Sequence, residues 1–187
     1  MIKQCVALAS VFLLSSCATP RVSPPSAADQ FLASLQTLCG KSFEGVLVSE
    51  SPLDADFVGK RLVARGVGCA PNEVRIAFDV GESRTRTWII SRTSTGLRLK
   101  HQHLHDDGTP DAVTMYGGDT QTAGTPTRQA FPVDQESKDM FTKEGRSVSN
   151  TNVWTVEHQP GAFLHYELSR PGRFFHVRFD VSKPVQP

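Results

Sequence analysis

The segment Thr85-Arg86-Thr87-Trp88-Ile89-Ile90-Ser91-Arg92-Thr93, the turn residues Ser94-Thr95-Gly96, and the return through Leu97-Arg98-Leu99-Lys100-His101-Gln102-His103-Leu104-His105 decide the fold. Two β-rich runs joined by small polar residues read as an antiparallel hairpin. Side chains two apart on a strand share a face. The return strand therefore places Leu97, Leu99, His101, His103 and His105 on one side and Arg98, Lys100, Gln102 and Leu104 on the other. On the outgoing run Arg84, Arg86, Trp88 and Ile90 alternate onto one face. The first face of the return strand passes from apolar to imidazole, as a barrel wall does when it runs from a packed floor to a wet mouth.

The same pattern repeats outward from this hairpin. Strand signals cover Ser42 to Ser49, Lys60 to Val67, Glu73 to Val80, Ala112 to Met115, Arg128 to Val133, Thr151 to His158, Phe163 to Ser169 and Phe174 to Asp180. Pro71-Asn72, Gly81, Asp107-Gly108-Thr109-Pro110, Gln159-Pro160-Gly161 and Arg170-Pro171-Gly172 supply turns. Ahead of the strands, Ser26 and Asp29 form a capping-box pattern, and Phe31, Leu32, Leu35 and Leu38 share a helical face before Gly40, so a helix is expected over 27–38. Asp134 is positioned to cap a second short helix carrying Met140 and Phe141 and ending near Gly145. Many short antiparallel strands without crossover helices point to an all-β, up-and-down, lipocalin-like barrel of about ten strands, which removes exposed edges. A two-sheet β-sandwich is the alternative. Tyr116-Gly117-Gly118-Asp119 and 122–127 read as a small-residue loop, the natural lid of an open barrel.

The N-terminus carries a different message. Lys3, an apolar run from Cys5 to Leu14, and Leu14-Ser15-Ser16-Cys17 have the form of an export signal too short to span a bilayer. Leu14-Ser15-Ser16-Cys17 resembles the lipobox of bacterial lipoproteins. That resemblance implies cleavage after Ser16 and acylation of Cys17; an ordinary secretory signal is the alternative. Acyl chains contribute about 0.8 kcal/mol per buried CH₂, so two or three hold a protein on a membrane without a spanning helix. In a Gram-negative host, Ala18 in place of Asp suggests, by resemblance to the sorting pattern there, the inner leaflet of the outer membrane. The division expected is a signal over 1–16, a lipidated cysteine and proline-rich tether over 17–25, and one β-rich domain over 26–187. The tether, read as semi-extended at ~3.1 Å per residue, would span about 25 Å.

Composition narrows the function classes. The chain has 187 residues with 20 Lys+Arg and 19 Asp+Glu, and only Lys3 of these lies in the signal, so the remainder is formally neutral. Neither this balance nor any basic stripe interleaved with aromatics supports nucleic-acid binding. At 39% hydrophobic and 21% charged residues the domain should fold around a proper core. Cys5 leaves with the signal and Cys17 takes lipid, which leaves Cys39 and Cys69 to pair in an oxidising compartment. Two buried free thiols are the alternative.

The domain as a whole resembles a group of uncharacterised exported bacterial proteins. The resemblance lies in Leu38-Cys39-Gly40-Lys41-Ser42-Phe43-Glu44-Gly45, Arg84-Thr85-Arg86-Thr87-Trp88, Tyr116-Gly117-Gly118-Asp119, Thr151-Asn152-Val153-Trp154 and Arg173-Phe174-Phe175. It implies a single exported domain and carries no activity or catalytic residue.

The candidate chemistry sits on the opening hairpin. Histidines at i and i+2 on a strand lie ~7 Å apart at Cα and can share an ion, whereas His101 and His105 are roughly twice as far apart, so His103 with either His101 or His105, and with Asp107 or Asp111, forms a candidate Zn or Cu site. Solvated hairpin histidines, or imidazoles hydrogen-bonding a ligand at a barrel mouth, are the competing readings. Arg84, Arg86 and Trp88 would offer an anionic ligand a guanidinium and an aromatic face, or simply pack as core under arginine stems. Trp154 reads as core, and His158, His165 and His176 as isolated structural histidines. Glu44 with Asp54 or Asp56, and Glu157 with Glu167, pair only if folding brings them together. No Gly-x-Ser-x-Gly, His-Glu-x-x-His or Cys-x-x-Cys occurs. The expected function is a lipid-anchored envelope protein binding a small, partly apolar ligand and needing no cofactor. A filled-barrel lipoprotein that binds another envelope protein, and a histidine-centred metal enzyme, are the alternatives.

Overall fold

The computed structural model describes residues 24–186; the expected signal, the expected lipidation position Cys17, and the first part of the expected tether lie outside the described residues. Ten strands follow one another in an all-β, up-and-down barrel: β1 Ser42–Leu47, β2 Leu62–Ala70, β3 Glu73–Val80, β4 Arg86–Arg92, β5 Leu97–His103, β6 Tyr116–Asp119, β7 Arg128–Pro132, β8 Val153–Gln159, β9 Phe163–Arg170 and β10 Arg173–Asp180. Their order in space is β6-β5-β4-β3-β2-β1-β10-β9-β8-β7, every neighbouring pair antiparallel. Pairing of β1 with β10, Gly45 opposite Phe179, joins the two meanders. This is a single wound sheet, so the sandwich alternative falls.

The N-terminal helix α1, Ala27–Leu35, forms where the capping box was read: the Asp29 amide donates to Ser26 Oγ, and the Asp29 carboxylate accepts from the Ser26 amide. A 3-10 turn over Gln36–Leu38 extends it. Ala28, Phe31, Leu32 and Leu35 are buried, and α1 lies against β3 and β4 on one side and β7 and β8 on the other. An apolar helix face touching opposite walls closes one end of the barrel. Arg92, at the far end of β4, fastens it by donating to Asp29 at 2.6 Å. Just after α1, Gly66 in β2 admits the backbone of Leu38 and Cys39 so closely that any Cβ there would collide with the Leu38 carbonyl. That approach sets Cys39 beside Cys69 of β2, Cα to Cα 6.2 Å, and the expected disulfide is formed.

The sixth strand differs from expectation. Ala112–Met115 is irregular, Met115 turns the chain with φ 57°, and the strand begins at Tyr116, in the run expected to be a lid. The Gly117-Gly118 pair is a packing device here. A Cβ on Gly117 would strike the Leu99 carbonyl, and one on Gly118 would strike that of Pro132 across the gap to β7. No ladder joins β6 to β7. The second helix α2, Gln135–Lys143, closes this seam: the Asp134 amide donates to the Gly117 carbonyl at 2.9 Å, and the Gly117 amide to Ser137 Oγ at 2.8 Å. Lys100, on the outer face of β5, reaches Asp134 at 2.9 Å and Glu136 at 2.8 Å.

Candidate functional site

A cavity of about 220 Å³ opens at the end of the barrel opposite α1. It forms where β4, β6, β8 and β10 begin and β5 and β9 end. Its base is aromatic. Trp88 of β4 stacks on Tyr166 of β9 with centroids 4.2 Å apart and planes 11° apart, and on Phe78 of β3 at 4.9 Å. Phe57, from the connection between β1 and β2, lies against Phe175 of β10 at 4.7 Å. The wall between β5 and β8 carries His101, which stacks on Tyr116 at 4.8 Å and 15° and meets Trp154 at 4.9 Å.

Hydrogen bonding fixes the state of His101. The Tyr116 carbonyl, 3.1 Å from Nδ1, can only accept, so Nδ1 carries the proton and Nε2 accepts from the Tyr166 hydroxyl at 2.7 Å. Burial pushes its pKa down to about 3. His103, whose Nε2 lies 2.9 Å from the Tyr116 hydroxyl, is lowered to about 4, first by burial and then by Arg86, with Arg146 adding and Asp111 opposing. Burial lifts the Tyr116 hydroxyl to about 12 and Tyr166 well above its ordinary value. Near pH 7 the wall is neutral.

The rim is cationic. Arg86, Arg146, Arg170 and Arg173 line the opening. Arg173 is neutralised by fully buried Asp54, an ion-pair contact of 2.5 Å off the hydrogen-bonding axis. The other three have no carboxylate within 4.0 Å among the described residues. Arg86 donates only to Ser83 Oγ at 3.1 Å, and Arg170 to Asn152 Oδ1 at 3.1 Å and Ser149 Oγ at 3.4 Å. Burial lowers the Arg170 pKa, and neighbouring Arg173 lowers it further.

The expected residues divide accordingly. Trp88, Arg86, His101 and His103 meet in the cavity. Arg84 does not: it precedes β4 and turns outward to Asp79, 3.2 Å away. Strand β5 stops at His103, leaving His105 exposed in the following turn, where its amide donates to the Thr109 carbonyl. Asp107 accepts from Thr109 and Asp111 from the Val113 amide. His103 therefore does not converge with a neighbouring histidine and Asp107 or Asp111 on one metal position, and both nitrogens of His101 are already engaged. Glu157 and Glu167 do come together, held by Arg128 on the outer face at 2.5 and 2.7 Å. Glu44 pairs with Arg61 instead.

Sequence reading missed Tyr166, Arg146, Arg170 and Arg173, and missed that Trp154, though 1% exposed, also lines the cavity. Part of that signal was in plain view. Leu164, Tyr166, Leu168 and Arg170 alternate along β9 from apolar to cationic, the gradient that marked Leu97 to His103. Compared with known proteins, the chain matches no family model, no curated protein and no solved structure.

Proposed function

We propose that this chain is a lipid-anchored envelope protein whose barrel binds a small ligand with a flat apolar body and an anionic group. The observation that carries the reading is the pairing of an aromatic base with three rim arginines lacking carboxylate partners among the described residues. Guanidinium groups with no carboxylate within 4.0 Å among the described residues, beside an apolar cavity, complement a carboxylate or phosphate whose body enters the aromatic slot. The cavity, at about 220 Å³, exceeds the ~150 Å³ void that takes up benzene, so one substituted ring or a short acyl segment fits. Binding is favoured over catalysis because His101 and His103, held at about 3 and 4, are neutral and only weakly basic near pH 7, and both ring nitrogens of His101 are already engaged by Tyr116 and Tyr166. The Leu14-Ser15-Ser16-Cys17 lipobox supports the anchor.

The pocket is tested by titrating an aryl carboxylate series and the matching uncharged amides while following tryptophan fluorescence. Carboxylates should bind at least about tenfold more tightly than amides, and Arg86→Gln with Arg170→Gln should abolish the difference. Equal binding of acid and amide refutes the anionic group; binding by neither favours the filled-barrel protein-interaction reading. Fatty-acid-analogue labelling tests the anchor: wild type should incorporate label and partition into detergent, and Cys17→Ala should do neither. Unlabelled wild type would sink it.

A further inference from the structure

The outer wall of β9 and β10 holds a cluster independent of the pocket. In this antiparallel pair Glu167 stands opposite His176, and His165 opposite Arg178. Leu164 and Tyr166 point inward with Val177 and Phe179, so the intervening His165, Glu167 and His176 share the outer face. One nitrogen of each ring and a carboxylate oxygen all lie within 4.8 Å of one another. The Nε2 atoms of both histidines are closed to water yet have no hydrogen-bond partner. Phe163 and Phe174 flank the rings, at 4.4 Å from His165 and 5.9 Å from His176.

We propose that His165, Glu167 and His176 form a surface site for a divalent transition ion of the zinc class. Two imidazoles and one carboxylate suit Zn²⁺ and leave a fourth position open. A tetrahedral ion with bonds near 2.1 Å needs donors roughly 3.4 Å apart, which small side-chain rotations supply from the present spacing. The orphaned nitrogens are the second argument: a buried imidazole nitrogen without a partner is a standing cost that a metal bond removes. Arg128 grips Glu167 from outside, with Nη2 at 2.7 Å and Nη1 at 3.3 Å, as an outer hydrogen bond to a ligating carboxylate does. Charge does not forbid the ion. Arg128 and Arg178 are balanced by Glu157 and Glu167, so the cluster is neutral before any cation arrives.

The test is calorimetric titration of ZnCl₂ into the full-length, tag-free protein in detergent, with Co²⁺ absorption as a report on ligand geometry. One equivalent should bind at about 10 μM or tighter, with a tetrahedral Co²⁺ spectrum. His165→Gln and His176→Gln should each weaken binding at least about tenfold, and His103→Gln should leave it unchanged. Both rings lie on the outside, and the metal-free melting temperature of each variant verifies its fold; either variant alone decides the question if the other does not fold. The proposal is overturned if wild type binds no ion tighter than about 1 mM, if the double variant His165→Gln/His176→Gln binds as wild type does, or if His103→Gln is the change that abolishes binding.

Discussion

Lowering the pH from 8 to 5 should strip this barrel of much of its stability through three imidazoles. His101 is held at about 3, and His103 and His158 at about 4, burial being the largest cause in each. In the unfolded chain the same rings accept a proton near 6.5. The unfolded state therefore binds more protons between about pH 6.5 and the folded values, and stability falls as pH falls through that window. Each ring contributes about 1.4 kcal/mol per pH unit below 6.5, hence about 2 kcal/mol at pH 5 and roughly 6 kcal/mol for the three. A total stability of about 5–15 kcal/mol makes this decisive. Urea unfolding followed by fluorescence of Trp88 and Trp154, at pH 8, 7, 6 and 5, measures it. In His101→Gln the decline should shrink to about two-thirds, while loss of the ring packed on Tyr116 and Trp154, and of its bond to the Tyr116 carbonyl, lowers stability by about 1–3 kcal/mol at every pH. Asp29, held at about 2 chiefly by Arg92, makes a contribution that is lost only as pH falls from about 4 toward 2, outside the window. Stability that stays level to pH 5, or a slope identical in His101→Gln, would refute the reasoning.

Two further outcomes follow from the scaffold. Replacing Cys39 and Cys69 by serine should cost about 3–4 kcal/mol, because the bridge closes a 30-residue loop; a denaturation midpoint indifferent to reductant would contradict this. Gly118→Ala should cost about 3 kcal/mol or more, because its Cβ would collide with the Pro132 carbonyl across the seam; an unchanged melting temperature would show that the gap is wider than described.

What could be read from the chain was what lies along it. The alternation through Thr85 to His105 gave a hairpin that pairs Trp88 with His101, and Ser26, Asp29 and the leucines gave α1. Local pattern failed at Gly117 and Gly118, where glycine marks close approach between strands and not a turn. Contacts such as Tyr166 to His101 across the lumen, and Arg173 to Asp54 in the connection between β1 and β2, join residues far apart in sequence and leave no periodic trace. The outer histidines were a nearer miss. Once Pro171-Gly172 is taken as a two-residue turn, Arg170 faces Arg173, and counting back along both strands sets Glu167 against His176.

The seam gives the barrel a place to breathe. Nine strand boundaries are ladders that open only cooperatively, whereas β6 and β7 are fastened through α2 by a few polar contacts. Local opening of such a clasp requires far less than global unfolding. Tyr116, at the head of β6, is both the stacking partner of His101 and the neighbour of the clasp, so each opening also shifts a wall of the cavity. Deuterium should consequently reach the Gly117 and Asp134 amides long before those of β9. On the proposed binding reading, a ligand too long for the resting cavity would gain room by parting the wall at one line, with the other nine boundaries left intact.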